Sequence, residues 1–104
     1  MAKKRLQISA HVSHDCRIGS SVFIGTNAVV CGRAQIGEGA YVAPNATIRD
    51  DCQVGRFALV GLGSVVTRNL ADYVVATGIP ARPAIRRRSA LGKGLASDAG
   101  DGPQ

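Results

Sequence analysis

The sequence has no tryptophan, and two tyrosines and two phenylalanines are its only aromatic residues. Exposed rings are what grip unpaired bases, so a single-strand nucleic-acid platform is excluded. Long apolar runs are missing as well. No stretch approaches the roughly 20 residues that span a bilayer. Residues 1–5 lead into no apolar core of a secretory signal. The expectation is a cytoplasmic protein with no membrane partner. Histidine occurs only at His11 and His14, and cysteine only at Cys16, Cys31 and Cys52, with no zinc-ligand spacing among them. No metal is expected.

Acidic residues are scarce too: seven against thirteen Lys and Arg, for a formal net charge of +6. The surplus sits at the ends. Lys3, Lys4 and Arg5 open the chain, and Arg82, Arg86, Arg87, Arg88 and Lys93 outweigh Asp98 and Asp101 near its close. Residues 6–80 are balanced, with Arg17, Arg33, Arg49, Arg56 and Arg68 against Asp15, Glu38, Asp50, Asp51 and Asp72. A nucleic-acid face spread over the fold is therefore not expected. A basic C-terminal end fits an anionic ligand there, such as a cofactor phosphate.

What the chain does have is a repeat of six. Leu6, Val12, Ile18, Ile24, Val30, Ile36, Val42, Ile48, Val54, Val60 and Val66 are all aliphatic. Four places after each comes a residue that is mostly small: Ala10, Cys16, Val22, Ala28, Ala34, Ala40, Ala46, Cys52, Ala58, Ser64 and Leu70. Gly19, Gly25, Gly37, Gly55 and Gly61 directly follow the aliphatic position. A helix cannot use a strict period of six. A parallel β-helix can, with one short strand per hexad, three hexads per coil, the aliphatic residue inside and the small one filling a corner. The fold class is all-β. Residues 1–5 read as a basic arm, 6–71 as the solenoid of fewer than four coils, 72–88 as an extended segment with two prolines, and 89–104 as a disordered tail poor in residues to bury. So short a solenoid buries little per chain, which favours oligomerisation.

Three hexads per coil make residues 18 apart stack. Cys16 and Cys52 then share an inward column two coils apart, about 9–10 Å, too far for a disulfide. Asp15, Arg33 and Asp51 alternate in charge, Glu38 lies over Arg56, and Asn27 lies over Asn45, where a left-handed corner suits asparagine. Phe23, Tyr41 and Leu59 form an outward column that reads as a subunit interface. His14 lies over Gly32. An imidazole beside a side-chain-free backbone N–H pairs a general base with a donor for a developing oxyanion. Asp15 is placed to fix the tautomer of that imidazole.

The repeat [LIV]-G-x-x-A-x resembles the hexapeptide-repeat acyltransferases, which form left-handed parallel β-helices and act as trimers. More narrowly, ISAHVSHDCRIG, VVCGRAQIGEGAYVAPNATI and VVATGIPARPAI resemble the sugar acetyltransferases of the sialic-acid O-acetyltransferase and UDP-amino-sugar N-acetyltransferase type. The resemblance implies His14 as proton acceptor, Asp15 as its partner and Gly32 as oxyanion glycine. It implies acetyl-CoA in a groove between subunits of a homotrimer, at Pro44 and Leu62, with the backbone of Ala43 and Gly61 nearby and Arg82 of GIPAR at the phosphates. Phe23 stands where some relatives carry a second histidine on acetyl-CoA. The expected reaction moves an acetyl group to an amine or hydroxyl of a sugar or nucleotide-sugar. These enzymes commonly carry an N-terminal βαβ nucleotide-binding domain, and in this sequence only residues 1–5 stand before the first hexad. The expectation is then a different acceptor, a separate substrate-binding partner, or a truncated relative. The alternative is a non-catalytic, structural or degenerate β-helix trimer. The carbonic-anhydrase branch of the fold needs three zinc-binding histidines, and two are present.

Overall fold

Most hexads close in the same way. The N–H of the small residue donates to the carbonyl three residues earlier, as in Ala28 to Gly25, Ala34 to Cys31 and Ala46 to Ala43, at 3.1–3.3 Å. The residue just before the small one has positive φ: Ser9, Asp15, Ser21, Asn27, Arg33, Gly39, Asn45, Asp51, Phe57 and Gly63, at 57–70°. That is the signature of a type II turn. The turn bends the chain sharply enough that only a small side chain fits inside the corner. In the computed structural model, which describes residues 4–86, Ala28, Ala34, Ala40, Ala46, Ala58 and Ser64 are accordingly buried.

Between corners run short strands. Lys4–Leu6 (β1), Val22–Ile24 (β4), Tyr41–Val42 (β7), Leu59–Val60 (β10) and Val74–Gly78 (β12) lie parallel in face A. His11–Val12 (β2), Val29–Val30 (β5), Thr47–Ile48 (β8) and Val65–Val66 (β11) form face B, and Arg17–Ile18 (β3), Gln35–Ile36 (β6) and Gln53–Val54 (β9) form face C. Registers such as Phe23↔Tyr41, Val29↔Thr47 and Gln35↔Gln53 give the expected step of 18 residues. From Ile24 onward the aliphatic series is buried, whereas Leu6 at the first coil is exposed and Val12 and Ile18 are partly buried. Ile24, Val30, Val42, Ile48, Val60 and Val66 are fully buried, each contributing about 1.5–3 kcal/mol. The solenoid is a left-handed β-helix of about four turns, as in the solved structure compared below.

Three features depart from the uniform repeat. First, β1 begins at Lys4, so Lys4 and Arg5 pair with Val22 and Phe23 as part of the first coil rather than forming a loose arm. A ladder needs backbone groups, not apolar side chains. Second, the step falls to 16 in the last coil: Leu59 pairs with Val75, and Val54 with Leu70. Arg56 therefore lies against Asp72, bonded through Nη2 to Oδ2 at 3.1 Å, and not in an ion pair with Glu38. Third, Ala81–Arg86 (β13) runs antiparallel to β12, with Thr77 opposite Arg82. The N–H of Gly78 donates to the buried hydroxyl of Ser64 at 3.0 Å, which ties this hairpin to the coil. The basic residues Arg87, Arg88 and Lys93 and the expected tail, 89–104, lie outside the described residues.

Candidate functional site

The corner between faces B and C carries His14, Asp15 and Gly32. Asp15 takes the left-handed turn position, φ 58°. This sets its carboxylate 3.3 Å from His14 Nδ1. Both side chains face water, at 65% and 80% exposure. The other ring nitrogen faces Gly32: a Cβ built on that glycine would meet His14 Nε2 at 2.7 Å and Cε1 at 2.8 Å. The column His14 over Gly32 is therefore real, one coil apart, with the His14 carbonyl accepting from Arg33 N–H at 3.0 Å. Gly32 is buried beneath the ring. The missing Cβ makes room for the imidazole itself. The Gly32 N–H has no acceptor among the described residues, and its carbonyl accepts from Asp51.

Charge around this corner is neutralised in pairs. Arg33 donates to Asp51 through Nε at 2.7 Å and Nη2 at 2.8 Å. That bidentate bond holds the Asp51 carboxyl below its ordinary range. Asp15 turns to His14 instead of completing the Asp15–Arg33–Asp51 column. Asp50, next in the column after Gly32, lies 3.8 Å from Arg33 and 3.7 Å from Arg49. The three cysteines are free thiols. Cys52 is buried, and burial pushes its thiol up. Cys16 is only partly buried and donates to the Cys31 carbonyl at 3.1 Å.

The remaining expected residues lie elsewhere on the prism. Ala43, Pro44, Gly61 and Leu62 share the corner between faces A and B, with Gly63 N–H donating to the Pro44 carbonyl at 3.1 Å. Leu62 is 74% exposed. Phe23 is on face A, its ring stacked on Tyr41 with centroids 4.6 Å apart. Arg82 is on β13, lining a small pocket together with Thr67 and Arg68. Within one chain, the His14 corner and the Pro44–Leu62 corner are thus separated by face B. Face C went unread at the level of sequence, although the period of 18 applied to Arg17, Gln35 and Gln53 exposes its polar column. Among the described residues, no helix is long and apolar enough to cross a membrane.

With that geometry in view, residues 15–50 match the family model described as bacterial transferase hexapeptide (six repeats). The chain is a hexapeptide-repeat protein. An acyl-[acyl-carrier-protein]–UDP-N-acetylglucosamine O-acyltransferase of Burkholderia mallei is 30% identical over 73 residues, covering 70% of this chain and 28% of that protein. LpxA from Acinetobacter baumannii superposes with a TM-score of 0.78 at 28% identity, over 80% of this chain and 32% of that one. The acetyltransferase domain of PglB from Neisseria gonorrhoeae, solved in complex with acetyl coenzyme A, gives 0.71 at 24% identity, over 77% of this chain and 48% of that one. This hexapeptide-repeat chain spans less than a third of the length of the curated relatives it matches.

Proposed function

We propose that this coil carries out acetyl transfer from acetyl-CoA to an amine or hydroxyl of a sugar or nucleotide-sugar, with His14 as general base. The observation that carries the reading is the opposed environment of the two ring nitrogens. Nδ1 faces Asp15, which favours the proton on that nitrogen. Nε2 is then the basic nitrogen, and it is the one aimed along the column toward Gly32. The acceptor's proton passes to Nε2 as its oxygen or nitrogen attacks the thioester carbonyl. The Gly32 N–H, left without an acceptor, stabilises the oxyanion along the edge of the imidazole. The carbon–sulfur bond then breaks, and CoA leaves as the thiol after taking up the proton.

The donor is held at Pro44 and Leu62, beside Ala43 and Gly61, with Phe23 adjoining and Arg82 on the phosphates. Because face B separates that corner from His14 in one chain, the reading needs a second subunit. A homotrimer in which the apolar column of Phe23, Tyr41 and Leu59 on one copy packs beside the His14 corner of the next brings the Pro44–Leu62 corner to that imidazole. The relatives' names support acyl transfer to a sugar nucleotide, and the acetyl coenzyme A held by the PglB domain supports the donor. The test is release of free CoA thiol across a panel of amino sugars and nucleotide-sugars. Turnover should fall at least a hundredfold in His14→Ala. Undiminished turnover in that variant sinks the assignment.

A further inference from the structure

The three faces of the prism differ in what they turn outward. Face A presents Phe23, Tyr41 and Leu59, and face B presents His11, Val29, Thr47 and Val65. Face C presents Arg17, Gln35 and Gln53, with no outward apolar side chain in these strands. A column of amides gains nothing from being covered by an apolar surface, so this is the face best suited to stay in water.

Face C also carries a shallow depression. It borders an open recess of about 750 Å³ lined by Arg17, Gln35, Gln53, Asn69, Arg56 and Asp72, with Ile18, Ile36, Val54 and Leu70 between them. Its polar groups are available. Arg33, Arg49 and Arg56 each lie against an aspartate. Arg17 has no acidic partner among the described residues, and the side-chain amides of Gln35 and Gln53 make no hydrogen bond there. Asn69 is occupied, accepting from Gln53 N–H at 2.9 Å.

Arg17 and Gln35 stand at the margin of this recess nearer the His14 corner, which is not itself part of the lining. Arg17 follows His14 by three residues on one coil, and Gln35 follows Gly32 by three on the next. The two pairs stack, so a molecule on Arg17 and Gln35 lies just around the corner from the imidazole and the free N–H.

We propose that this part of face C binds the acyl acceptor, and that the acceptor is a polyhydroxylated small molecule carrying an anionic group. Arg17 holds the anion through its fork of donors. Gln35, and Gln53 beyond it, each offer an amide donor and acceptor to ring hydroxyls. The inference rests on the acyl-transfer reading for the acceptor's role. It separates the two substrates: the donor comes from the side of the neighbouring subunit and the acceptor lies on face C.

The probes are glucosamine 6-phosphate, glucuronic acid and uncharged glucosamine, titrated into the full chain and followed by amide and side-chain NMR shifts. Shifts should appear at Arg17, Gln35 and Gln53, and one or both charged sugars should bind roughly tenfold tighter than glucosamine. Comparing the two charged probes distinguishes a phosphate from a carboxylate requirement. Arg17→Gln should remove that preference, and Gln35→Leu should weaken all three probes. No shift, shifts confined to faces A and B, or equal affinity for charged and uncharged sugars overturns the proposal.

Kinetics separate the two readings. Arg17→Gln should raise the acceptor KM about tenfold while leaving the acetyl-CoA KM unchanged. Wild-type turnover with an acceptor KM unmoved by Arg17→Gln overturns the acceptor surface and spares acyl transfer. Absence of wild-type turnover overturns acyl transfer, while the titration still decides the binding surface.

Discussion

Gly32 illustrates how much one missing methyl group decides. Its φ is not in the left-handed region, so alanine there meets no backbone penalty, and the imidazole it touches is the end of an exposed side chain. The added carbon would land 2.7 Å from His14 Nε2 and push the ring off the column. Gly32→Ala should therefore keep the wild-type melting temperature within a degree or two, yet lose roughly ten- to a hundredfold in kcat. An equal loss of stability and activity would instead make Gly32 a packing residue.

The same corner carries a pH dependence. The hydrogen bond from Arg33 is the main reason the Asp51 carboxyl lies below 3.8. A carboxyl depressed on folding adds stability above its unfolded value, and that stability is lost as pH falls through the folded value. Thermal unfolding from about pH 5 to about pH 2 should show a smaller decline in Asp51→Asn than in the wild-type chain. Both side chains are exposed, so the difference is small.

At the level of the element, the repeat works because each hexad makes one left-handed turn. Two of those turn positions allow the contributions to be separated. Gly63 has φ +65° with nothing within 4 Å of an added Cβ, and Gly39 has φ +70° with the Phe57 ring where an added Cβ would go. Gly63→Ala should cost only the backbone strain, about 1–2 kcal/mol. Gly39→Ala should cost that plus about 1–3 kcal/mol for displacing the ring. Urea unfolding of both variants measures the difference, and equal midpoints would mean that Phe57 moves aside freely. Phe57 and Tyr73 themselves take left-handed turns, at 57° and 64°, which bulky residues rarely do. Their rings stack with centroids 5.5 Å apart, and Phe57 fills the space that Gly39 leaves. Sequence reading anticipated Asn27 and Asn45 at such corners, because asparagine tolerates them. It had no local reason to put phenylalanine or tyrosine there, since the compensating contacts come from the coils above and below.

At the scale of the whole molecule, the proposed assembly depends on face A. Phe23 is stacked on Tyr41, and Tyr41 is 37% exposed in the single chain. A charge at its centre should be tolerated by a monomer and not by an apolar interface. Tyr41→Asp should convert a trimer to monomer by light scattering, with β-sheet circular dichroism retained. A trimer unaffected by the change would direct the interface to another face. Loss of acyl transfer in the monomer is expected as well, because the corners of His14 and Leu62 lie on opposite margins of face B and are joined only in the proposed trimer.

The period of six was enough to specify the prism. It fixed strand positions, the inward aliphatic column, the small corner residues and the stacking of His14 on Gly32, because a regular coil turns sequence spacing into spatial position. What spacing could not reveal lies where regularity ends or where side chains choose among neighbours. The contraction from 18 to 16 residues pairs Arg56 with Asp72, and the β12–β13 hairpin adds a strand outside the hexads. The imidazole covers Gly32, because a flexible side chain settles into whatever space the coil beneath leaves. That face C turns a polar column outward was written in Arg17, Gln35 and Gln53. Only the folded chain sets those residues side by side and shows that nothing in the described coil occupies them.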